Sequence, residues 1–246
     1  MGICQEAEAS DYDVIVAMVY ENDNSSLIRV VNGNKVDGVL LGRTLVDDVN
    51  VKYLKESGIP FAVIGSSYED GVIQIDNNHL AACEEFTEDL IEKGYKRISL
   101  VGGNNSHVVN RIRREGFERA VKACGKELDA NIYMESLSIE DIDEVVKTAA
   151  VNNTELLICM DDNICNQVIN KLRESGIKYP DKISVASMYD SELLSNFDPG
   201  ITAIKYSPRR LGATACKVLM DMIEGEEVSE KTLLNVHTII TKGSTR

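Results

Sequence analysis

The sequence is poor in positive charge and in histidine, and it has no long apolar run. Lys and Arg together number 26 against 40 Asp and Glu in 246 residues, a formal net charge of −14. Non-specific affinity for nucleic acid comes from Lys and Arg neutralising phosphates, so this stretch is a weak DNA binder by itself, and its acidic surface is expected to serve solubility. The three histidines, His79, His107 and His237, stand at no metal-ligand spacing from the six cysteines, and no C-x-x-C pair occurs. Most of those cysteines lie in apolar settings where a free thiol behaves as a small hydrophobe, which fits a reduced, cytoplasmic compartment. No signal peptide, transit peptide or apolar span of membrane length is legible, so neither export nor membrane insertion is expected. The G-x-x-x-x-G-K-[ST] loop of nucleotide hydrolases, the G-x-S-x-G elbow of serine hydrolases and the D-x-[DN]-x-[DN]-G calcium loop are all absent. An enzyme is therefore without support, and no catalytic residue, cofactor or metal is expected.

What is present is a chain with 43% hydrophobic residues and no low-complexity run, enough for a sizeable core. The most informative stretch runs from Glu155 to Glu192. Glu155 to Met160 is a short apolar run; the acidic turn Asp161-Asp162-Asn163 breaks it; apolar residues then recur at helical spacing at Ile164, Val168, Ile169 and Leu172. Gly176 closes that helix, Pro180 cannot continue it, and Ile183 to Met188 supplies another buried strand ending in Tyr189-Asp190. Polar side chains thus follow the carboxyl ends of two strands of one parallel sheet, where open α/β sheets place ligands.

The same alternation runs through the chain. Strands are expected at Val14–Val19, Val36–Gly42, Phe61–Gly65, Val72–Ile75, Ile98–Val101 and Ile201–Ile204, with a closing strand over Leu233–Thr241. Helices are expected over Val46–Ser57, ending at Gly58; over Leu80–Lys93, capped by Asn77 or Asn78; after Ser138; and from Ser207-Pro208 to Ile223, with Ser at N-cap and Pro at N1. A chain that opens on a helix usually has a strand before it, so either that first strand is missing from this sequence or the subdomain closes without it. Repeated strand-helix units predict parallel sheets with helices on both faces, in two α/β subdomains facing a cleft. The expected division is 1–105 plus about 206–229 for the first and about 106–205 plus 230–246 for the second, with crossings at Gly102–His107 and Lys205–Ser207.

The chain resembles the effector-binding core of the lactose-repressor and galactose-repressor family of bacterial transcription regulators, a periplasmic-binding-protein-like fold. The resemblance rests on Val36-Asp37-Gly38, Gly58-Ile59-Pro60, Ile75-Asp76-Asn77, Gly94-Tyr95 with Arg97-Ile98, Gly102-Gly103, and Arg113 spaced from Gly116-Phe117. It continues through Asp161-Asp162, Pro180-Asp181 with Ile183-Ser184-Val185, Pro199 with Ile201-Thr202, and Leu211-Gly212. It implies a small-molecule effector such as a sugar, sugar phosphate or nucleobase, a homodimer, and operator DNA contacted through a helix-turn-helix domain that this sequence lacks. It also implies effector contacts at Arg113, whose planar fork suits a carboxylate, a phosphate or paired hydroxyls, and at His107 in the loop after the glycine pair. Asp161 stands in place of a usual asparagine and Asp162 matches the aspartate after it. Tyr189 stands where many members have the first of two aspartates, Asp190 matches the second, and Leu137 stands where an aromatic platform is common. The loss of an aspartate and an aromatic together weighs against an ordinary neutral sugar.

Plainer roles exist for each of these residues. Arg113 lies among Arg111 and Arg114 and could belong to a solvated basic face; His107 could be a loop histidine with no special task. Asp161-Asp162-Asn163 could simply cap the helix that follows. The expected function is effector sensing and allosteric control of DNA binding; the alternatives are a transporter's solute-binding protein, or a relative that has lost small-molecule binding.

Overall fold

A computed structural model describes all residues except 21–22, 126–127 and 134–137. In chain order its elements are α1 (Gly2–Ala9), α2 (Ser25–Asn32), β1 (Val39–Gly42), α3 (Val49–Ser57), β2 (Phe61–Ile64), β3 (Ile73–Asn77), α4 (His79–Glu92), β4 (Arg97–Val101), α5 (Val108–Cys124) and β5 (Asp129–Tyr133). There follow α6 (Ile139–Val151), β6 (Leu156–Cys159), α7 (Asp162–Glu174), β7 (Ser184–Ser187), a 3-10 turn (Glu192–Leu194), β8 (Thr202–Tyr206), α8 (Pro208–Ile223), β9 (Lys231–Leu234) and β10 (His237–Ile240). The chain divides into two compact units: Met1–Asn77, Ser106–Val109 and Ser207–Asn235 form one, and Asn78–Asn105, Asn110–Tyr206 and Val236–Arg246 the other.

The first unit holds a four-stranded sheet of order β1-β2-β3-β9, every pair parallel. On it pack Leu27, Val31, Val51 and Leu54 from α2 and α3, and Ala215 and Met220 from α8. Local chemistry sets the helix ends. The Asp48 carboxylate accepts from the N–H groups of Asn50 and Val51 to start α3, and Gly58 ends it at φ 71°, a left-handed conformation that costs a Cβ-bearing residue energy. Ser207 caps α8 by accepting from Arg210 N–H, with Pro208 in the first turn, as expected from the sequence.

The second unit holds a six-stranded sheet of order β10-β8-β7-β6-β4-β5, parallel except for the antiparallel β10. Its core joins Phe86, Leu90 and Tyr95 to Leu156, Leu157, Ile158, Val168, Ile169 and Leu172, the two apolar runs read from the sequence. β6 and β7 are buried along their whole length; β6 (Leu156–Cys159) accordingly reads as a continuous apolar run, while β7 buries two serines, Ser184 and Ser187.

Three expectations are corrected. Val14–Val19 carries no regular secondary structure and makes no ladder hydrogen bond among the described residues, since a β-branched run becomes a strand only beside a neighbour that accepts its ladder bonds. Residues 78–105 pack in the second unit, not with residues 1–77, because β4 pairs with β5 and β6. The tail forms two strands, not one: β9 extends the first sheet beside β3, and β10 pairs with β8 in the second.

Candidate functional site

The carboxyl ends of β6, β7 and β8 gather the site in the second unit. Arg113, on α5, is only 7% exposed, which removes it from the solvated basic face considered for it. Its neighbours Arg111 and Arg114 are engaged elsewhere, Arg111 Nε donating to the Asn105 carbonyl and Arg114 pairing with Glu118. A buried guanidinium must be compensated. Arg113 Nη1 donates to the Met160 carbonyl at 2.6 Å, and its central carbon lies 5.8 Å from the centroid of the Tyr189 ring. Its Nε is buried without a protein acceptor among the described residues.

Asp161 directly follows Met160 and is the N-cap of α7, its carboxylate accepting from Ile164 N–H at 2.8 Å. The capping role considered for this trio therefore holds for Asp161. Asp162 accepts from the Ser191 hydroxyl, tying the loop after β6 to the loop after β7. Tyr189 is half-buried; burial, then Asp162, push its phenol above its ordinary range, while Arg113 pulls the other way and Asp190 adds to the rise. Asp190 faces Lys242 at 3.8 Å.

Behind Tyr189 lies a layer of rings. Tyr206 stacks on it at 6.0 Å between centroids, His79 meets Tyr206 edge-on at 4.8 Å, and His237, 6.4 Å from Tyr206, contacts Glu85 through Nε2 at 2.9 Å. Cys83 sits in the same layer. Burial raises its thiol to about 12 despite the opposing pull of Arg113 and Tyr206, so it stays protonated at neutral pH and is no nucleophile.

A separate polar group lies at the carboxyl edge of the four-stranded sheet. Thr44 donates to the Ser66 carbonyl, Ser66 donates to Asp76 at 2.9 Å, and all three are buried. His107 belongs to this unit: an isolated antiparallel bridge with Leu45 sets it beside the residue that follows Thr44.

Of the residues singled out from sequence, Arg113, Asp161, Asp162, Tyr189 and Asp190 come together in one unit. His107 belongs to the other unit, and Leu137 lies outside the described residues. Ser191 and Lys242 join the site without a prior signal, because each is defined by a partner far away in sequence. Asp76 entered the sequence reading only within the motif Ile75-Asp76-Asn77, and Thr44 and Ser66 carried no signal there. Among the described residues there is no cluster of His, Cys, Asp and Glu able to hold a metal, and no helix is long and apolar enough to cross a membrane.

Comparison with known proteins bears on this arrangement. The sequence matches the family described as periplasmic binding protein-like domain over residues 87–245. It is 25% identical to the HTH-type transcriptional regulator RegA of Clostridium saccharobutylicum, over 96% of this chain and 73% of that protein. Its fold is similar to a probable maltose operon transcriptional repressor of Staphylococcus aureus (TM-score 0.90, 23% identity, 100% of this chain and 89% of the other). It is also similar to the transcriptional regulator CelR solved as a cellobiose complex (TM-score 0.85, 22% identity, 99% and 76%). The chain belongs to the periplasmic binding protein-like domain family. Within that family its likeness is to the effector-binding cores of lactose-repressor and galactose-repressor type regulators, as the motifs of the sequence implied. By name these relatives are transcriptional regulators or repressors.

Proposed function

We propose that this chain is the effector-sensing core of a bacterial transcriptional repressor, and that a small polar metabolite binds at the carboxyl edge of the six-stranded sheet. The observation that carries the proposal is the buried guanidinium of Arg113, held on the Met160 carbonyl beside Tyr189, where two acidic loops meet. A cation is retained in such a place when it does work, since an apolar residue of similar size would fill the space at lower cost. In this reading Arg113 supplies directed donors, Asp162 and Asp190 accept from hydroxyl or amino groups, and Tyr189 offers a ring face. For His107 and Leu137 the family resemblance is the sole support for a role in binding. Effector binding biases a two-state equilibrium that a DNA-binding domain and a homodimer read out, and the bias equals the difference in affinity between the states. CelR, solved with cellobiose, brings saccharides into the screen, and Tyr189 and Leu137 in place of the usual aspartate and aromatic put charged ones ahead of neutral ones.

A second reading, loss of small-molecule binding, is favoured by one feature. The site's acids already have protein partners, Asp162 with Ser191 and Asp190 with Lys242. A thermal-shift screen of sugars, sugar phosphates, nucleobases and amino acids separates the two. A ligand at about 100 times its Kd adds roughly 2.7 kcal/mol of stability and raises the melting temperature; a flat response to every class favours the second reading.

A further inference from the structure

Two thiols meet beneath the carboxyl edge of the six-stranded sheet, and none of the preceding roles uses them. Cys159 ends β6 and Cys165 lies in the first turn of α7; both are fully buried in the core of the second unit, and their side chains are in hydrogen-bond contact. The five residues between them carry the anchors of the site. The Met160 carbonyl holds Arg113, Asp161 caps α7 through Ile164 N–H, and Asp162 takes the Ser191 hydroxyl. Cys165 N–H also donates to the Asp161 carbonyl at 3.0 Å. The base of this turn is thus closed by two sulfur atoms in contact but not bonded.

We propose that Cys159 and Cys165 form a reversible disulfide that makes this turn responsive to hydrogen peroxide; its regulatory consequence rests on the effector site proposed for the same turn. The chemistry closes with the peroxide as oxidant. One thiol attacks the O–O bond and becomes a sulfenic acid, releasing water; the second thiol displaces the hydroxyl, forming the S–S bond and releasing a second water. Two electrons and both thiol protons leave the protein. Burial raises the Cys159 thiol far above its ordinary range, and Cys165 and Asp161 add to the rise, so Cys159 rests protonated and the reaction is slow. Asp161 and Asp162 are half-buried and Asn163 is exposed, so the chain surfaces directly between the two cysteines. A neutral oxidant little larger than water passes such a covering more readily than a bulky charged one. A covalent link brings two sulfurs closer than any contact between thiols. It therefore draws the first turn of α7 toward β6 and moves the Met160 carbonyl and the Asp161 cap that lie between.

Both cysteines fall in one tryptic peptide, residues 148–171, which makes the test direct. The intact chain is treated with hydrogen peroxide, alkylated under denaturing conditions, digested without reductant and weighed by mass spectrometry. The expected product is that peptide lighter by two hydrogens, with neither cysteine alkylated, and reverted by dithiothreitol. Amide exchange at Ile164 and Cys165, whose N–H groups bond to Asp161, is expected to change on oxidation and to return on reduction. A peptide in which both cysteines are still alkylated, or carry sulfinic or sulfonic acid in place of a link, overturns the proposal. A link that leaves exchange at both amides unchanged overturns its regulatory role. The link forms on the free protein, so a flat ligand screen, which counts against the effector site, leaves this outcome readable on its own.

Discussion

Arg113 is the residue on which the functional reading turns, and its burial changes what its substitution does. A side chain on a solvated face could be truncated with little effect on stability. Here Arg113→Ala removes a buried charge-assisted hydrogen bond, leaves the Met160 carbonyl without its donor and opens a cavity, at a cost of about 2–4 kcal/mol. Arg113→Lys keeps the charge and loses the planar fork, so chemical denaturation should show a smaller loss than for alanine while effector affinity falls at least about tenfold. Tyr189 offers a second reading at this scale. Its phenol is raised by burial and by Asp162, so the proton is held more tightly in the folded state than in the unfolded chain. The stability from this group is therefore full below the ordinary tyrosine value and is lost as pH rises through the raised one. Tyr189→Phe should flatten the alkaline limb of a stability-pH curve, measured by urea denaturation.

At the scale of elements, caps and apolar periodicity were legible, and pairing partners were not. Asp161 was readable as an N-cap because the acceptor and the donor it serves lie three residues apart. Asp161→Asn keeps that acceptor and should change stability by a few tenths of a kcal/mol, whereas Asp161→Ala should cost about 1 kcal/mol. If Asp161→Asn also weakens effector binding, the charge itself contacts the ligand. By contrast, the bond between Ser191 and Asp162 joins residues 29 apart, which no local pattern encodes. Val14–Val19 was misread for the same reason: β-branched content favours an extended chain, but a strand exists only by pairing. The tail reads as one alternating run through Val236, yet its halves pair in different sheets.

Across the whole molecule, the fold class and family were written in dispersed short motifs, while the boundary between the compact units was not. Asn77 and Asn78 fall on opposite sides of it, and the polar run Asp76-Asn77-Asn78-His79 that contains it reads locally as a strand end followed by a helix cap, not as a change of unit. The C-terminus closes the second unit. Ser244 bonds to the Val185 carbonyl and Thr202 N–H, Arg246 lies over Tyr95, and Glu155 faces both Arg97 and Arg246. Burial pushes the Glu155 carboxyl upward, but the N–H groups of Lys96 and Arg97 and the two arginines outweigh it and hold the carboxyl below its ordinary value. The stability it contributes is present above that ordinary value and is lost as pH falls through the depressed one. Glu155→Gln should therefore lower stability at neutral pH and flatten the acid limb of the same curve.

The most direct measurement is titration calorimetry of the chain and of Arg113→Lys with whichever compound raises the melting temperature in the screen. The account predicts one saturable site on the wild type and at least about tenfold weaker binding to the lysine variant. Equal affinity for both proteins would contradict it, because the ligand would then bind somewhere other than the carboxyl edge that Arg113 defines.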